Sequence, residues 1–525
     1  MKLRNQSWSF DSRDLMRSQC THCIKLSVAR ELGVPGVREL LEEYYQPPDN
    51  LAIRYGIRFE EQLESELLAN LNDLIQKPRD SSMEATLELM NQGLPVIYQG
   101  SLRGGTGEML FSGRPDFLLR SDYEFEFTQN GLMAKAVDGW SGGYTAWDAK
   151  LSQTAKPDYQ IQVGLYVDVL ESLGLSSNRQ HGLLLGNRTI AGFQSDVVVS
   201  QLLKKRGAYL SQVFDFIDQD PMRLEDIDSL VCEASSYCDI CEYPALCQAM
   251  RVQTNHLQLV ANITRPQIES LYRAGVRTVA QLAEFTGDTD KLSAQQLEPI
   301  RVQAQLQQRF YETGVPEALV VNNDGLKILG EENAGDIFFD LEGFTFFDEP
   351  GGLEYLFGWV SVDQSEGFSW LWADDRNSEK VIFEQFMNVL KKRLENFPGA
   401  RVFHYANYEQ AALKRLAERF DSHHAYLAGL LERGVFVDLY KVVKASIQVS
   451  EPKYSIKNLE TFYTFERSSD VKEAMGSMEY YDQYLAALEA DPELAQTLKR
   501  QVLSYNQDDC VSTLALTRWL RSLRR

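Results

Sequence analysis

No uninterrupted apolar run in the 525 residues is long enough to span a bilayer. The N-terminal stretch MKLRNQSWSFDSRD also lacks the apolar core of a signal peptide. A cytoplasmic protein without a membrane partner is therefore expected. Positive charge is scarce: 53 Lys and Arg face 75 Asp and Glu, for a net charge of −22. That balance argues against a surface coated with nucleic-acid-binding patches. It leaves a nuclease open, because bound metal ions make a catalytic cleft locally positive in an acidic molecule. The clusters Lys204-Lys205-Arg206, Lys391-Lys392-Arg393 and Arg521 to Arg525 read as solvated helix faces. Cysteine is also sparse, with seven residues. Without an export signal these do not form a disulfide framework. What is present, 44% hydrophobic and 24% charged residues, describes a globular chain of two to four domains.

The chain is organised around FSGRPDFLLR (111–120) and YTAWDAKLS (144–152), each of which reads as a strand from its period-two alternation. Asp148 and Lys150 leave the same face of the second strand, and Asp116 can meet them from the strand beside it. Two carboxylates and a lysine at one point suit divalent-metal hydrolysis of a phosphodiester. A bare Asp-x-Lys, taken alone, reads as a turn and a solvated ion pair. Around it stand RYGIRFEEQLESEL (54–67), a predicted helix with Glu60 and Glu61, and PDYQIQVGLYVDVL (157–170), a predicted helix with Gln162 and Tyr166 on one face. This order, Glu, Gly-x-Pro-Asp, Asp-x-Lys, Gln-x-x-x-Tyr, resembles the RecB-type branch of the PD-(D/E)xK nucleases over about the first 250 residues. The resemblance implies a restriction-endonuclease-like fold in which Glu60, Asp116 and Asp148 hold Mg²⁺ or Mn²⁺. It further implies that Lys150 polarises the water or the scissile phosphate and that Gln162 and Tyr166 position the substrate. Many relatives carry His where this chain has Glu60.

The cysteines are unevenly placed, with Cys20 and Cys23 early, Cys232, Cys238, Cys241 and Cys247 together, and Cys510 alone. Cys238-x₂-Cys241-x₅-Cys247 can hold a soft metal centre with one further ligand, and spacing alone favours zinc. A first cysteine before the nuclease core and this triplet after it are similar to the iron–sulfur nucleases, among them the CRISPR-adaptation exonucleases and AddB-type subunits. That likeness implies a structural [4Fe–4S] cluster on Cys20, Cys238, Cys241 and Cys247, stapling the domain. Cys23 and Cys232 are spare candidates, read first as small buried hydrophobes; His22 ranks low as a ligand.

Residues 251–318 read as a helical connector. IESLYRAGVRTVAQLAEF resembles a helix-hairpin-helix unit that would bind phosphate near Gly275 and Thr278, although a plain connector fits as well. From 319 to 525 the pattern is α/β. NAGDIFFDLEGFTFF is a strand carrying Asp340 and Glu342 on one face, followed by a meander, a helix, a strand–helix unit (400–420), and a last helix with Tyr505 and Asp509 four apart. This order resembles the DEDD exonucleases of the RNase H-like fold, in their tyrosine variant. The likeness implies two ions on Asp340, Glu342, Asp509 and a middle acid, with Tyr505 orienting the attacking water. The middle acid departs from the usual Asp; Glu409 is the expected equivalent and Asp438 the alternative. His404 reads as a core or hydrogen-bonding histidine. The whole order, a RecB-type domain (1–250), a connector and an RNase H-like domain, resembles putative RecB-family nucleases. They imply exonucleolytic hydrolysis of DNA, with RNA as a second candidate substrate, in repair or foreign-DNA processing, and a helicase as candidate partner. The rival expectations are a nucleic-acid-binding scaffold with silent sites and a redox-responsive regulator that uses the cysteines as sensor.

Overall fold

A computed structural model describes residues 1–4, 7–46, 51–71, 74–106, 109–138, 142–218, 233–347, 351–364, 367–468 and 474–524. The chain divides into two compact units, Met1–Arg251 and Val252–Arg525. Among the described residues no helix is long and apolar enough to cross a membrane.

The first unit is built on a six-stranded mixed sheet in the order Ile190–Phe193, His181–Leu185, Tyr144–Lys150, Phe117–Arg120, Val96–Tyr98, Ile75–Gln76. Tyr144–Lys150 runs parallel to His181–Leu185 and antiparallel to Phe117–Arg120. Its residues from Tyr144 to Asp148 are buried in succession, because both faces of the sheet are covered. Phe117, Leu119 and Trp147 pack on one side with Phe59, Leu63 and Leu67 of the helix Leu51–Leu71. Leu118, Tyr144 and Ala146 face Tyr166, Val169 and Leu170 of the helix Pro157–Ser172. Asp148, two residues beyond Ala146, shares this second face.

Two local expectations need correction: a single strand over 111–120, and the reading of SFDSRDLMRSQCTHCIKLSVARELGV as a helix start followed by an amphipathic helix. Residues 111–120 form two strands, Met109–Gly113 and Phe117–Arg120, and these belong to different sheets. Pro115, with no N–H to give a ladder, ends the first strand and leaves Asp116 at the joint. The opening segment begins with two strands, Lys2–Arg4 and Ser7–Phe10, which join Met109–Gly113 and Leu102–Thr106 in a four-stranded sheet. The helix Thr21–Glu31 is also not amphipathic, since every residue from His22 to Ala29 is buried. Residues remote in sequence cover it, Tyr209 and Val213 of the helix Ser195–Ile217 together with Tyr237 and Tyr243.

In the second unit a five-stranded sheet has the order Phe368–Trp372, Leu353–Ser361, Ile337–Phe344, Val402–His404, Phe436–Asp438. The first three strands form an antiparallel meander, and the last two join in parallel. Phe339, Leu341 and Phe357 pack under the helices Arg376–Asn396 and Tyr408–Phe420. Phe338 and Phe403, on the other face, meet Cys510 and Leu514 of the long helix Pro492–Ser522. By alternation Asp340 and Glu342 point to the face that this last helix covers.

The helices Arg265–Arg273, Val279–Glu284 and Ala294–Thr313 belong to this same unit. Gln303 donates to the Val449 carbonyl at 2.7 Å, and Gln307 to that of Leu259 at 2.6 Å. Gly275 sits at φ 82°, a conformation that favours glycine, between the first two helices. The backbone N–H groups of Val279 and Ala280 donate to Asn255, that of Gln281 to Thr278, and that of Arg277 to the Gln281 side chain. These four amides are engaged within the unit.

Candidate active sites

Strand alternation delivers Asp340 and Glu342 to one face, and helical period adds Asp509 from above. The three carboxylates each offer a ligand oxygen within 4.8 Å of the other two, the only such acidic group among the described residues. Each is held by a partner. Asn506 donates to Asp340 Oδ2 at 2.6 Å, Ser477 Oγ to Glu342 Oε2 at 2.8 Å, and Arg467 to Asp509 Oδ1 at 2.7 Å. Arg467 also reaches Glu460 at 2.7 Å. Gly358, opposite Asp340 in the ladder, makes room for Asn506: a Cβ there would lie 1.7 Å from Asn506 Oδ1.

Burial and mutual repulsion dominate the electrostatics. Desolvation and the charges of Asp509 and Glu342 push Asp340 well above the usual carboxylate range. Glu342 is pushed up to about 8 by burial and then by Asp509. Asp509 is raised by burial despite the opposing charge of Arg467. A buried cluster that resists losing its protons is one that a divalent cation would stabilise.

Glu409 lies in the first turn of the helix Tyr408–Phe420, 3.2 Å from His404 Nδ1. His404 Nε2 accepts from Gln410 at 2.9 Å, which leaves Nδ1 to donate to Glu409. Burial raises Glu409, and its charge in turn lifts Asp340 and Glu342. The alternative, Asp438, caps the helix Leu439–Ser446 by accepting from the Lys441 amide at 3.2 Å. Tyr505, one turn before Asp509, is buried, with Lys457 Nζ 5.1 Å and the Arg467 guanidinium 5.9 Å from its ring centroid. Sequence reasoning missed Arg467, Lys457, Asn506 and Ser477. Only Asn506 carried a usable signal, lying inside the Tyr505 to Asp509 motif.

In the first unit, Asp148 is buried and ion-paired with Lys150, two residues along the same strand. Asp116 Oδ2 accepts from the Ala149 amide at 2.6 Å. Burial, then the charges of Asp148 and Glu60, raise the Asp116 pKa. Burial opposes the charge on Lys150, but Asp148 and Asp116 outweigh it and hold its pKa above the ordinary value. Gln162 donates to Tyr166 Oη at 2.7 Å, and that hydroxyl donates to Asp148 Oδ1 at 3.3 Å. The Tyr166 ring lies over Gly113, where a Cβ would come within 2.4 Å of it. Glu60 is hydrogen-bonded by Gln99, which in turn receives Arg114. Asp116, Asp148, Lys150, Gln162 and Tyr166 are thus linked, and Glu60 reaches Asp116 through its charge, but Glu60, Asp116 and Asp148 lack the close mutual approach of the second cluster. A cleft of about 1350 Å³ lies beside them, with Arg13, Arg103, Arg114, Lys150, Gln162 and Tyr166 among its lining.

The thiols lie in one neighbourhood, although among the described residues no three of their sulfurs come within 4.8 Å of one another. Cys20 Sγ accepts from the Cys23 amide, Cys238 Sγ from that of Ser235, and Cys241 Sγ from that of Tyr243, each at 3.4 Å. Cys247 Sγ lies 3.4 Å from His22 Nδ1. A hydrogen bond from Cys23 draws Cys241 down to about 6, whereas burial pushes Cys20 up to about 11. Amide donors aimed at sulfur stabilise thiolate, the form a metal or cluster takes. Cys23, expected as a bystander, is inside the group; Cys232 lies outside the described residues. Cys510 is buried in the second unit.

The second unit thus sets its carboxylates on the central strand of a meander-plus-parallel sheet, where a C-terminal helix meets them. Residues 337–521 match the family model of the RNase H superfamily. That domain is RNase H-like, a fold whose members are generally metal-dependent hydrolases of nucleic acids. Comparisons with curated proteins and with solved structures gave no significant match.

Proposed function

We propose that the chain is a metal-dependent nuclease with two hydrolytic centres, cleaving DNA, with RNA as a second candidate substrate, exonucleolytically in repair or foreign-DNA processing. The convergence of Asp340, Glu342 and Asp509 carries this reading. These residues, with Glu409 closing the set, would hold Mg²⁺ or Mn²⁺. Divalent ions held there would supply Lewis-acid stabilisation of the charge that develops on the reacting phosphate. The residues do the rest. Asn506 fixes the Asp340 carboxylate, Ser477 that of Glu342, and Tyr505 orients the water. The water oxygen bonds to phosphorus as the bond to the leaving sugar oxygen breaks; the water proton goes to solvent, and the leaving oxygen takes one up.

In the first unit the RecB-type reading is supported by the meeting of Asp116, Asp148 and Lys150 beside the cleft. Glu60, Asp116 and Asp148 would hold the same ions, Lys150 would polarise the water or phosphate, and Gln162 with Tyr166 would steady Asp148. Cys20, Cys238, Cys241 and Cys247 would hold a [4Fe–4S] cluster, with structural zinc as the alternative. The amide bonds to the sulfurs of Cys20, Cys238 and Cys241 fit either group.

The test is a time course on end-labelled single-stranded DNA, duplex DNA and RNA with Mg²⁺ or Mn²⁺. It compares the parent protein, prepared without oxygen, with Lys150→Ala and Asp340→Ala. Cutting that survives each single change and disappears in the double variant supports two centres. Intact substrates in every lane would falsify the reading.

A further inference from the structure

The RNase H-like unit carries an aromatic surface beside its acidic cluster that the hydrolytic reading leaves unused. Strand register fixes its place. Asp340 pairs with Gly358, and Gly358 with Trp370 on the edge strand Phe368–Trp372. Glu342 pairs with Leu356, and Leu356 with Trp372. Residues opposed across a ladder share a face, so both indoles lie on the face that bears Asp340 and Glu342. They stand two strand spacings away, about 9.5 Å. Between them and the acids stand Leu356 and, over Gly358, the side chain of Asn506.

The two indoles differ. Trp372 is packed edge-on to Tyr355 and Tyr484, with ring centroids at 5.4 and 5.2 Å, and its N–H is given to Asp374 at 2.7 Å. Trp370 is 43% exposed. Lys499 Nζ lies 4.4 Å from the Trp372 ring centroid and 5.3 Å from that of Trp370. Lys499 sits on the helix that carries Tyr505 and Asp509, ten residues before Asp509 and so about 15 Å along the axis. An exposed indole beside a cation is what a nucleobase and its phosphate require, and every base offers a π-face. A duplex keeps its bases stacked on each other, so this surface suits an unpaired strand.

We infer that Trp370 and Lys499 form a positioning platform for a single-stranded substrate, taking a base roughly three stacked steps, at 3.4 Å each, from the bond cleaved at Asp340. This rests on the RNase H-like centre being hydrolytic. The test uses full-length protein carrying Lys150→Ala, so that cutting reports the second centre. Oligonucleotides of two to eight residues are compared with a blunt duplex in the presence of Mn²⁺. Trp370→Ala is expected to raise KM about tenfold for the longer single strands, with kcat held, and to leave the shortest oligonucleotides unchanged. Trp370→Phe restores most of the loss, and Lys499→Ala raises KM severalfold and lowers its salt dependence. An unchanged KM across the length series, with cutting intact in Trp370→Ala, overturns the platform alone. No cutting by the Lys150→Ala protein overturns the hydrolytic reading and the platform with it. An equal loss on short and long strands assigns Trp370 to folding instead, and also overturns the proposal.

Discussion

The two candidate centres solve the same electrostatic problem in opposite ways. In the first, Asp148 faces Lys150 and Asp116 accepts a backbone amide, so the negative charge is partly neutralised from within. In the second, Asp340, Glu342 and Asp509 crowd within 4.8 Å, and the cation nearest them, Arg467, is shared between Asp509 and Glu460. A buried acidic surplus costs stability unless protons or metal ions supply the missing positive charge. The second site is therefore the one whose geometry asks most strongly for metal, and the first the one with a built-in cation for the phosphate.

The largest effect that could break this contrast is loss of a ligand. In the Lys150→Ala background, Asp340→Asn is expected to lower cutting by more than about a hundredfold, since outer partners of metal ligands alone are worth 10–100-fold. Residual cutting near the Lys150→Ala level, read from end-labelled product, would move the chemistry away from the second centre. Next in size is the cysteine group. Cys241→Ser should abolish bound iron and acid-labile sulfide and lower the melting temperature of the first unit, by about 2–4 °C for each kcal/mol lost. Iron absent but zinc stoichiometric in the parent would select the alternative centre.

Protons and metal compete at the second site, which gives a signed prediction. Glu342 has a folded pKa near 8 against 4.5 for the free side chain. Between those values the folded state binds more protons, so metal-free stability is greatest at the acid end and falls as pH rises towards 8. Melting curves of the metal-free protein should show this decline, and Glu342→Gln should flatten it. Added Mn²⁺ should stabilise most at the alkaline end. A melting temperature that climbs over the same range would show that the cluster is already compensated.

The sequence made some of this legible and hid the rest for physical reasons. In IFFDLEGF the period of a strand puts Asp340 and Glu342 on one face, and Tyr505 and Asp509 fall one helical turn apart, but it is the resemblance of this order to the DEDD exonucleases that joins them into one site. Alternation misled at 111–120, where the pattern runs through Pro115 although the ladder cannot. The burial of the helix Thr21–Glu31 was invisible because Tyr209, Tyr237 and Tyr243 arrive from about 200 residues away. Arg467, Ser477 and Lys457 lie in stretches without periodicity and reach the site only through the fold. Cys23 looked like a spare hydrophobe, yet its bond to Cys241 appears once both ends of the unit come together.

Smaller changes sharpen the contrast without removing a ligand. Gly358→Ala should drive its new methyl into Asn506 and release Asp340, lowering cutting at the second centre by about 10–100-fold, the range for such orienting partners. Binding of a single-stranded oligonucleotide should hold, because nothing that touches the strand has changed; a variant equal to the parent in rate would mean that Asn506 is dispensable. Tyr166→Phe in the first centre should cost less. It removes one hydroxyl from Asp148, while Lys150 still pairs with that carboxylate. A hydrogen bond to a charged group contributes about 1.5–3 kcal/mol, and at 3.3 Å the lower end applies, roughly tenfold in rate. Measured in the Asp340→Asn background, where the first centre acts alone, a loss of that size is what an internally compensated site predicts. A loss as large as that from Lys150→Ala would instead give Tyr166 a direct part in the chemistry, and the two centres would then differ less than their charges suggest.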